Sequence, residues 1–282
     1  MEWRGRRESD NVEDRRGLTG GHFAVGGIGG LIIAVIIYFL GGNPNQVMDQ
    51  QNPSDQYAQG NQANDPNDTL KSEISVILAD TEDVWDSLFN SMHKQYVDPK
   101  LVLFSGETQA GCGNASSATG PFYCPADQKV YIDLSFFDEL TSRFGAKGGD
   151  FAMAYVLAHE VGHHVQNLLG ISDKVDHLRS QLDDKAFNKI SVKLELQADF
   201  LAGVWAHYDQ KMKNVLQPGD IDEALSAANA AGDDRLQKET QGTVMPDAFT
   251  HGTSAQRMYW FKKGYTTGDL SQGDTFNDPS LN

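Results

Sequence analysis

The chain has 282 residues, 39% of them hydrophobic, with a formal net charge of −16. This length allows one or two domains with a sizeable core, and the sequence leaves the oligomeric state open. The excess of 39 acidic over 23 basic residues excludes the basic surface typical of nucleic-acid binding, so we expect no nucleic-acid partner.

A charged N-terminal stretch precedes an apolar run. Residues 1–22 contain five arginines and five acidic residues, and residues 23–40 carry no charge. At 1.5 Å per residue, a helix over 23–40 spans about 27 Å, close to the thickness of a bilayer core. The run lacks the polar face of a buried amphipathic helix, and the preceding stretch is too long and too acidic for a cleaved signal peptide. We therefore predict an uncleaved transmembrane helix over residues 23–40.

The distribution of Lys and Arg predicts the orientation of this helix. Residues 1–22 form a predicted cytoplasmic, Arg-rich tail, whereas residues 41–68 lack Lys and Arg until the next domain begins. Residues 41–68 are rich in Asn, Gln, Asp, Gly and Pro, which predicts a flexible linker. The bulk of the chain, residues 69–267, is then expected outside the cytoplasm, followed by a loose C-terminal tail over 268–282.

Periodic apolar residues predict the first elements of this outer domain. A long amphipathic helix is expected from Thr69 to about Tyr96, followed by strands over 99–104 and 130–134. Cys112 and Cys124 lie between the strands. Two cysteines cannot close a structural zinc site, so in an oxidising compartment they predict a local disulfide, with free buried thiols as the alternative.

The sequence His159-Glu160-Val161-Gly162-His163 lies within an apolar, helical stretch predicted over 148–169. Histidines four residues apart lie on one face of a helix, so both imidazoles can reach one metal ion. Glu160 is then placed to take a proton from an attacking water. Two histidines and a carboxylate are costly in a buried helix without a metal or partners. We therefore predict His159 and His163 as ligands of one zinc ion per chain.

A second predicted helix, over 186–210, supplies a third candidate ligand. Glu195 would complete a two-His, one-Glu site, leaving a fourth position open for water. Asp199 lies one turn further along, where its carboxylate can accept the free ring N–H of a ligand histidine. The alternative is that both carboxylates lie on an ordinary solvated helix face. Further helices are expected over 220–238 and 254–264, and Gly170 is expected to end the first site helix.

The spacing HExxH followed by ExxxD resembles the gluzincin class of zinc proteases. A metzincin would need Gly and His where this chain has Gln166 and Leu169. More of the chain resembles the neutral zinc metallopeptidase family of bacterial membrane-anchored proteins. The segments that carry this resemblance are residues 3–7, 11–17, 112–113, 122–125, 158–166, 195–199, 232–234 and 251–257.

The resemblance implies an α+β, zincin-like fold, mainly helical with a small sheet, and the membrane of a bacterium. It also implies that strand 129–134 pairs with extended substrate. Gluzincins often use a downstream His or Tyr to stabilise the oxyanion, which makes His251 a candidate catalytic residue beside Glu160. Tyr155 and Tyr259 are weaker candidates, and His251 could instead cap the helix that follows it.

The sequence thus predicts a single-pass protein of a bacterial inner or plasma membrane, with its N-terminus cytoplasmic and its catalytic domain periplasmic or extracellular. The predicted activity is zinc-dependent endopeptidase, acting on peptides or proteins. Two alternatives remain: a zinc-binding envelope interaction protein with little turnover, and a zinc hydrolase of non-peptide bonds. The presence of Glu160 disfavours the first alternative, because a binder needs no carboxylate there.

Overall fold

A computed structural model describes residues 1–17 and 68–281. The described part of the chain is mainly helical with two small sheets, which confirms the predicted α+β class. Its helices are α1 Thr69–Ser91, α2 Ser135–Ser142, α3 Asp150–Leu168, α4 Ile171–Arg179, α5 Asp184–Lys213, α6 Asp220–Ala230, α7 Asp233–Gln241 and α8 Ser254–Thr267. Its strands are β1 Val12–Asp14, β2 Lys100–Phe104, β3 Glu107–Ala110, β4 Gly113–Ser116, β5 Phe122–Cys124 and β6 Lys129–Asp133.

The larger sheet has the strand order β1-β2-β6-β5. Strand β2 is parallel to both β1 and β6, and β5 is antiparallel to β6. The alternating pattern at 130–134 corresponds to strand β6. Strand β2 pairs along the whole of β6 and β5 pairs with Lys129, Val130 and Tyr131, so β6 lies inside the sheet and β5 forms its end. This position disfavours the expected pairing of β6 with substrate.

A disulfide joins Cys112 to Cys124, as predicted. It connects the turn of the β3–β4 hairpin to the end of β5. The sequence predicts only a Gly-rich loop over residues 111–120, because the short strands β3 and β4 lack a clear alternation of apolar residues. The disulfide thereby anchors this hairpin beside the end strand of the larger sheet.

Helix α3 lies at the centre of the domain and packs against α1, α5 and α6. Gly162 lies where α3 crosses α5, and a Cβ added there would be 3.0 Å from the carbonyl oxygen of Ala198. Gly203 likewise lies where α5 crosses α8, and a Cβ added there would be 2.1 Å from the carbonyl oxygen of Phe261. These glycines let the three helices approach closely, so that α3, α5 and α8 can share one site.

Residues 1–17 differ from the separate tail that the sequence predicts, because they are part of the folded domain. Val12, Glu13 and Asp14 pair with β2, and the side chains of Met1 and Trp3 are buried. The sequence does not indicate this strand, because most of the residues around β1 are charged and no apolar run marks it. Four of the five arginines form ion pairs with carboxylates rather than remaining free.

Two further expectations differ from the structure. The helix expected over 220–238 is interrupted at Ala231 and Gly232, where a Cβ on Gly232 would be 2.3 Å from the backbone nitrogen of Ser254. The tail expected to be loose from residue 268 instead packs along α5: Thr275 is fully buried and donates to the carbonyl oxygen of Lys193. Both features depend on contacts distant in sequence, which helical periodicity does not reveal.

The predicted transmembrane helix over 23–40 and the predicted linker over 41–68 lie outside the described residues, except for Asp68. Asp68 caps α1 by accepting the backbone N–H of Lys71 at 3.1 Å. In the ranges 1–17 and 68–281, no helix combines the length and the apolar character that crossing a bilayer requires.

Asp209 on α5 provides a test of the electrostatics of the core. It is 1% exposed, both of its carboxylate oxygens lack a hydrogen-bond partner, and Lys213 lies 4.0 Å away. Burial, together with the nearby Asp80, raises the pKa of Asp209 to about 7. The folded state therefore binds more protons than the unfolded state between about pH 4 and 7, and stability falls as the pH rises through this range.

We expect Asp209→Asn to be more stable than the wild type at pH 8, by roughly 1–3 kcal/mol, because no buried charge has to form. The gain should disappear near pH 4, where the wild-type carboxyl is protonated. Urea unfolding at several pH values measures this difference. If Asp209→Asn were destabilised by the same amount at every pH, the raised pKa of Asp209 would be contradicted.

Candidate metal centre

The two histidines of the HExxH motif lie one turn apart on α3, and their ring centroids are 4.8 Å apart. Both rings direct Nε2 at the same carboxylate from α5. Nε2 of His159 lies 3.2 Å from one oxygen of Glu195, and Nε2 of His163 lies 3.3 Å from the other. The structure thus brings together the three residues that the sequence proposes as ligands, across a separation of more than thirty residues.

A hydrogen-bond partner holds the other ring nitrogen of each histidine. Nδ1 of His159 lies 2.9 Å from Asp199, as the sequence predicts, and Nδ1 of His163 lies 2.9 Å from Oε1 of Gln166. The amide of Gln166 donates in turn to the carbonyl oxygen of Leu194 at 2.8 Å. With each Nδ1 engaged, each Nε2 is the nitrogen that remains for a metal.

Sequence reasoning missed the role of Gln166 in orienting His163. The only local signal for this role is that Gln166 lies three residues after His163, on the same helix face.

Sequence reasoning also missed two partners of Asp199. Arg257 of α8 donates to both carboxylate oxygens, at 2.8 and 2.9 Å, and the hydroxyl of Tyr155 donates at 2.6 Å. No local pattern connects Arg257 with Asp199, because the two residues lie 58 positions apart.

Neighbouring charges shift the pKa values of the buried groups of this site. Burial lowers the pKa of His159, but Asp199 and Glu195 outweigh burial and raise it to about 10. Burial raises the pKa of Asp199, but Arg257 and His159 outweigh burial and lower it to about 2. The pKa of Glu195 is likewise held well below its ordinary value by His163 and His159, against the effect of burial.

The donor set fits a divalent metal ion. His159, His163 and Glu195 each offer one ligand atom, and these atoms lie within 4.8 Å of one another. Two imidazole nitrogens and one carboxylate oxygen are ligands that zinc prefers, in the pattern of sites that keep a position open.

Glu160 lies beside the ligand set without belonging to it. It is 8% exposed and lines a cleft with a volume of about 1070 Å³, which His159, His163 and Glu195 also line. Glu160 therefore lines the same cleft as the three candidate ligands and directly follows one of them, His159, on α3.

His251 also lines this cleft, on the loop that precedes α8. Its Nδ1 lies 3.2 Å from Asp233, whose other oxygen accepts the backbone N–H groups of Thr250, His251 and Gly252. The helix cap is formed by Thr253, so His251 does not cap α8. Burial lowers the pKa of His251, but the hydrogen bond with Asp233 and the charge of Glu195 raise it overall.

His164, which directly follows the candidate ligand His163, and Tyr259, a weaker candidate for oxyanion stabilisation, lie outside the ligand set. The ring of His164 is buried away from the ligands: its Nε2 donates to the carbonyl oxygen of Val97 at 2.6 Å, and its Nδ1 lies 2.9 Å from the hydroxyl of Tyr123. Burial lowers the pKa of His164 to about 4, so it is neutral. Tyr259 is 57% exposed and does not line the cleft.

We expect Asp199→Asn to weaken zinc binding about 10- to 100-fold, because the amide no longer polarises His159 and leaves Arg257 without its counter-charge. Competition with a chelating zinc indicator measures the affinity. Asp209→Asn is the matched control, since it neutralises another buried aspartate of the same helix, far from the ligands. An unchanged affinity in folded Asp199→Asn would contradict the assigned role.

Comparisons with known proteins extend over nearly the whole chain. Residues 1–276 match the model of a family described as "Putative neutral zinc metallopeptidase". The chain is 50% identical over 287 aligned residues to the uncharacterized protein YpfJ of Escherichia coli K12, covering 98% of this chain and 99% of YpfJ. It is 46% identical over 205 residues to the uncharacterized protein Rv2575 of Mycobacterium tuberculosis, covering 70% of this chain and 68% of Rv2575. No solved structure matches the chain significantly.

Proposed function

Because the chain belongs to the putative neutral zinc metallopeptidase family, we propose that it is a zinc-dependent endopeptidase with a zincin-like active site. The observation that carries this proposal is the convergence of His159, His163 and Glu195 on one point beside Glu160. The family implies zinc and a peptide or protein substrate. The endopeptidase activity and the role of each residue are our proposals.

Zinc bound by His159, His163 and Glu195 would supply a Lewis acid that acidifies water and polarises the scissile carbonyl. Glu160 takes the proton of the attacking water and passes it to the leaving amine. Asp199 and Gln166 hold the two imidazoles in orientation. Arg257 balances the charge of Asp199, so that the carboxylate stays ionised in the interior.

His251 is proposed to stabilise the oxyanion of the tetrahedral intermediate. Asp233 engages its Nδ1, which leaves Nε2 for the cleft, and the raised pKa favours the protonated, donating ring. A donor that acts on charge formed in the transition state contributes to kcat more than to KM.

We expect His251→Gln to lower kcat roughly 10²-fold, with KM nearly unchanged, because the donor acts mainly on the transition state. Steady-state kinetics on one cleaved peptide separates the two constants. His177→Gln, at an exposed histidine of α4, is the control and should behave as the wild type. A rise in KM at constant kcat would assign His251 to substrate binding instead.

The lining of the cleft supports a peptide as substrate. Its volume of about 1070 Å³ lies at the upper end of the range of ligand pockets, roughly 300–1,000 Å³. Phe122 and Tyr123 of the end strand β5 line it, so β5 is the strand proposed to pair with substrate backbone in place of β6. An apolar wall favours an apolar substrate side chain; it is formed by Phe136, Leu140, Phe144, Val156 and Leu236.

The location of the protein is also a proposal. The disulfide between Cys112 and Cys124 favours an oxidising compartment, which in a bacterium means the periplasm or the cell exterior. Attachment to the inner or plasma membrane through residues 23–40 rests on the apolar sequence of that run.

Zinc analysis and peptide cleavage by the purified full-length chain test the function. We expect about one zinc per chain and cleavage of a quenched-fluorescent peptide library, lost on chelation and restored by zinc. Cleavage within peptides, next to apolar residues, is expected. Zinc binding without cleavage of any peptide would favour a binding role, and cleavage unaffected by chelation would overturn the proposal.

A further inference from the structure

The N-terminal segment, residues 1–17, is bound to the domain by backbone pairing. Strand β1 pairs in parallel with β2, with Val12, Glu13 and Asp14 opposite Leu101, Val102 and Leu103. Backbone hydrogen bonds flank the pairing on both sides, from Leu101 to the carbonyl oxygen of Asn11 at 2.9 Å and from Arg15 to that of Leu103 at 2.7 Å. The segment therefore completes the larger sheet at its β1 end.

Two buried carboxylates of α1 bind this segment. Glu82 is 6% exposed and accepts hydrogen bonds from Arg7, Ser9 and Asn11, all within the segment. Asp80 is 2% exposed and pairs with Arg6 of the segment at 2.6 Å and with Lys213 of α5 at 2.7 Å. Burying a carboxylate costs several kcal/mol unless it is paired, so α1 is built to carry the segment.

The segment also contacts the helix that carries the histidine ligands. The indole N–H of Trp3 donates to the carboxylate of Asp150, in the first turn of α3, at 2.9 Å. Trp3 itself is 7% exposed. An aromatic side chain with a satisfied N–H, buried to this degree, is typical of a permanent contact.

The two ends of the stretch 18–67 meet at one point of the domain. The guanidinium of Arg16 is 2.5 Å from the carboxylate of Asp68, and it also pairs with Asp14 at 2.8 Å. Arg16 is 5% exposed, so this junction is part of the folded body. Arg16 and Asp68, which lie on either side of residues 18–67 in the sequence, are therefore in direct contact within the folded body.

We infer that residues 1–17 and the domain of residues 68–281 lie in the same compartment, on one side of any membrane to which the chain is attached. Hydrogen bonds of about 3 Å cannot act across a hydrocarbon core of roughly 30 Å. The single-pass orientation predicted from the arginines does not agree with this packing.

The arginines that predict a cytoplasmic N-terminus have other partners. Arg6 and Arg7 pair with carboxylates of α1, Arg15 donates to the carbonyl oxygen of Gln109, and Arg16 pairs with Asp68. The rule that places Lys and Arg in the cytoplasm reads the sequence alone and takes no account of such pairing. These arginines serve to dock the segment.

Single-cysteine reporters in the full-length chain test this inference in bacterial cells. Glu8→Cys reports on the segment and Lys189→Cys on the domain; both side chains are exposed, and the native cysteines are paired. Asp10→Cys and Ser142→Cys form a second, independent pair. Each thiol is labelled with a membrane-impermeant maleimide, in intact spheroplasts and after permeabilisation, and denatured protein gives the total.

We expect the segment and domain reporters to show the same labelling pattern. Either both are labelled in intact spheroplasts, or both are labelled only after permeabilisation. Labelling of one reporter in spheroplasts and of the other only after permeabilisation would overturn the inference. Retained zinc binding in each variant shows that the fold is intact. The outcome is independent of the proposed peptidase activity, since no turnover is measured.

Discussion

Replacing Glu160 by Gln is expected to abolish peptide hydrolysis while leaving zinc bound. The amide has nearly the same shape as the carboxylate but cannot take a proton from water. Loss of a general base costs about 10²- to 10⁴-fold in kcat. Since Glu160 lies beside the three ligand atoms rather than among them, zinc should remain at about one per chain.

The measurement compares kcat on a quenched peptide, with zinc content determined on the same samples. Glu73→Gln is the matched control, because Glu73 is a buried helical glutamate outside the cleft. Burial and the nearby Asp150 raise the pKa of Glu73 to about 7, so its neutral substitute should be tolerated. Near wild-type turnover by Glu160→Gln would show that another group is the base.

Residues 68–282, expressed without residues 1–67, are expected not to fold stably. This fragment lacks β1, the buried Trp3 and the partners of Glu82. Loss of a buried tryptophan alone costs roughly 3–5 kcal/mol. Together with the cost of leaving the buried Glu82 without its partners, this loss approaches the free energy of unfolding of a typical domain, about 5–15 kcal/mol.

The matched control joins residues 1–17 to residues 68–282 through about eight Gly and Ser residues. Such a linker reaches up to about 27 Å when extended, and the contact between Arg16 and Asp68 shows that the two ends lie close together. This chain should unfold cooperatively in urea and bind zinc, whereas the fragment should do neither. A fragment as stable as the joined chain would show that the N-terminal segment contributes little to folding.

The predictions from sequence that agree with the structure rest on local patterns. The spacing of apolar residues indicates α1, α3 and α5, because a helix repeats every 3.6 residues wherever it packs. Cys112 and Cys124 are close enough in sequence for the chain around them to form one local unit. The candidate ligand set follows from two short motifs, and the structure brings both motifs to one point.

The features that the sequence did not reveal depend on distant contacts. Strand β1 is charged and short, and its partner β2 lies about ninety residues away. Arg257 reaches Asp199 only because Gly203 lets α8 approach α5 closely. The packed C-terminal tail and the interrupted helix at Gly232 likewise need neighbours that no local periodicity specifies.

The sequence by itself determined the chemistry of the candidate site: two imidazoles one helical turn apart, with a carboxylate between them and another in a second helix. Helical geometry makes such spacings meaningful before any tertiary contact forms. Only the tertiary structure decided the partners of these groups and the place of the N-terminal arginines. Burial makes an unpaired charge costly, so each charged side chain takes the partner that the fold brings near, whatever its distance along the chain.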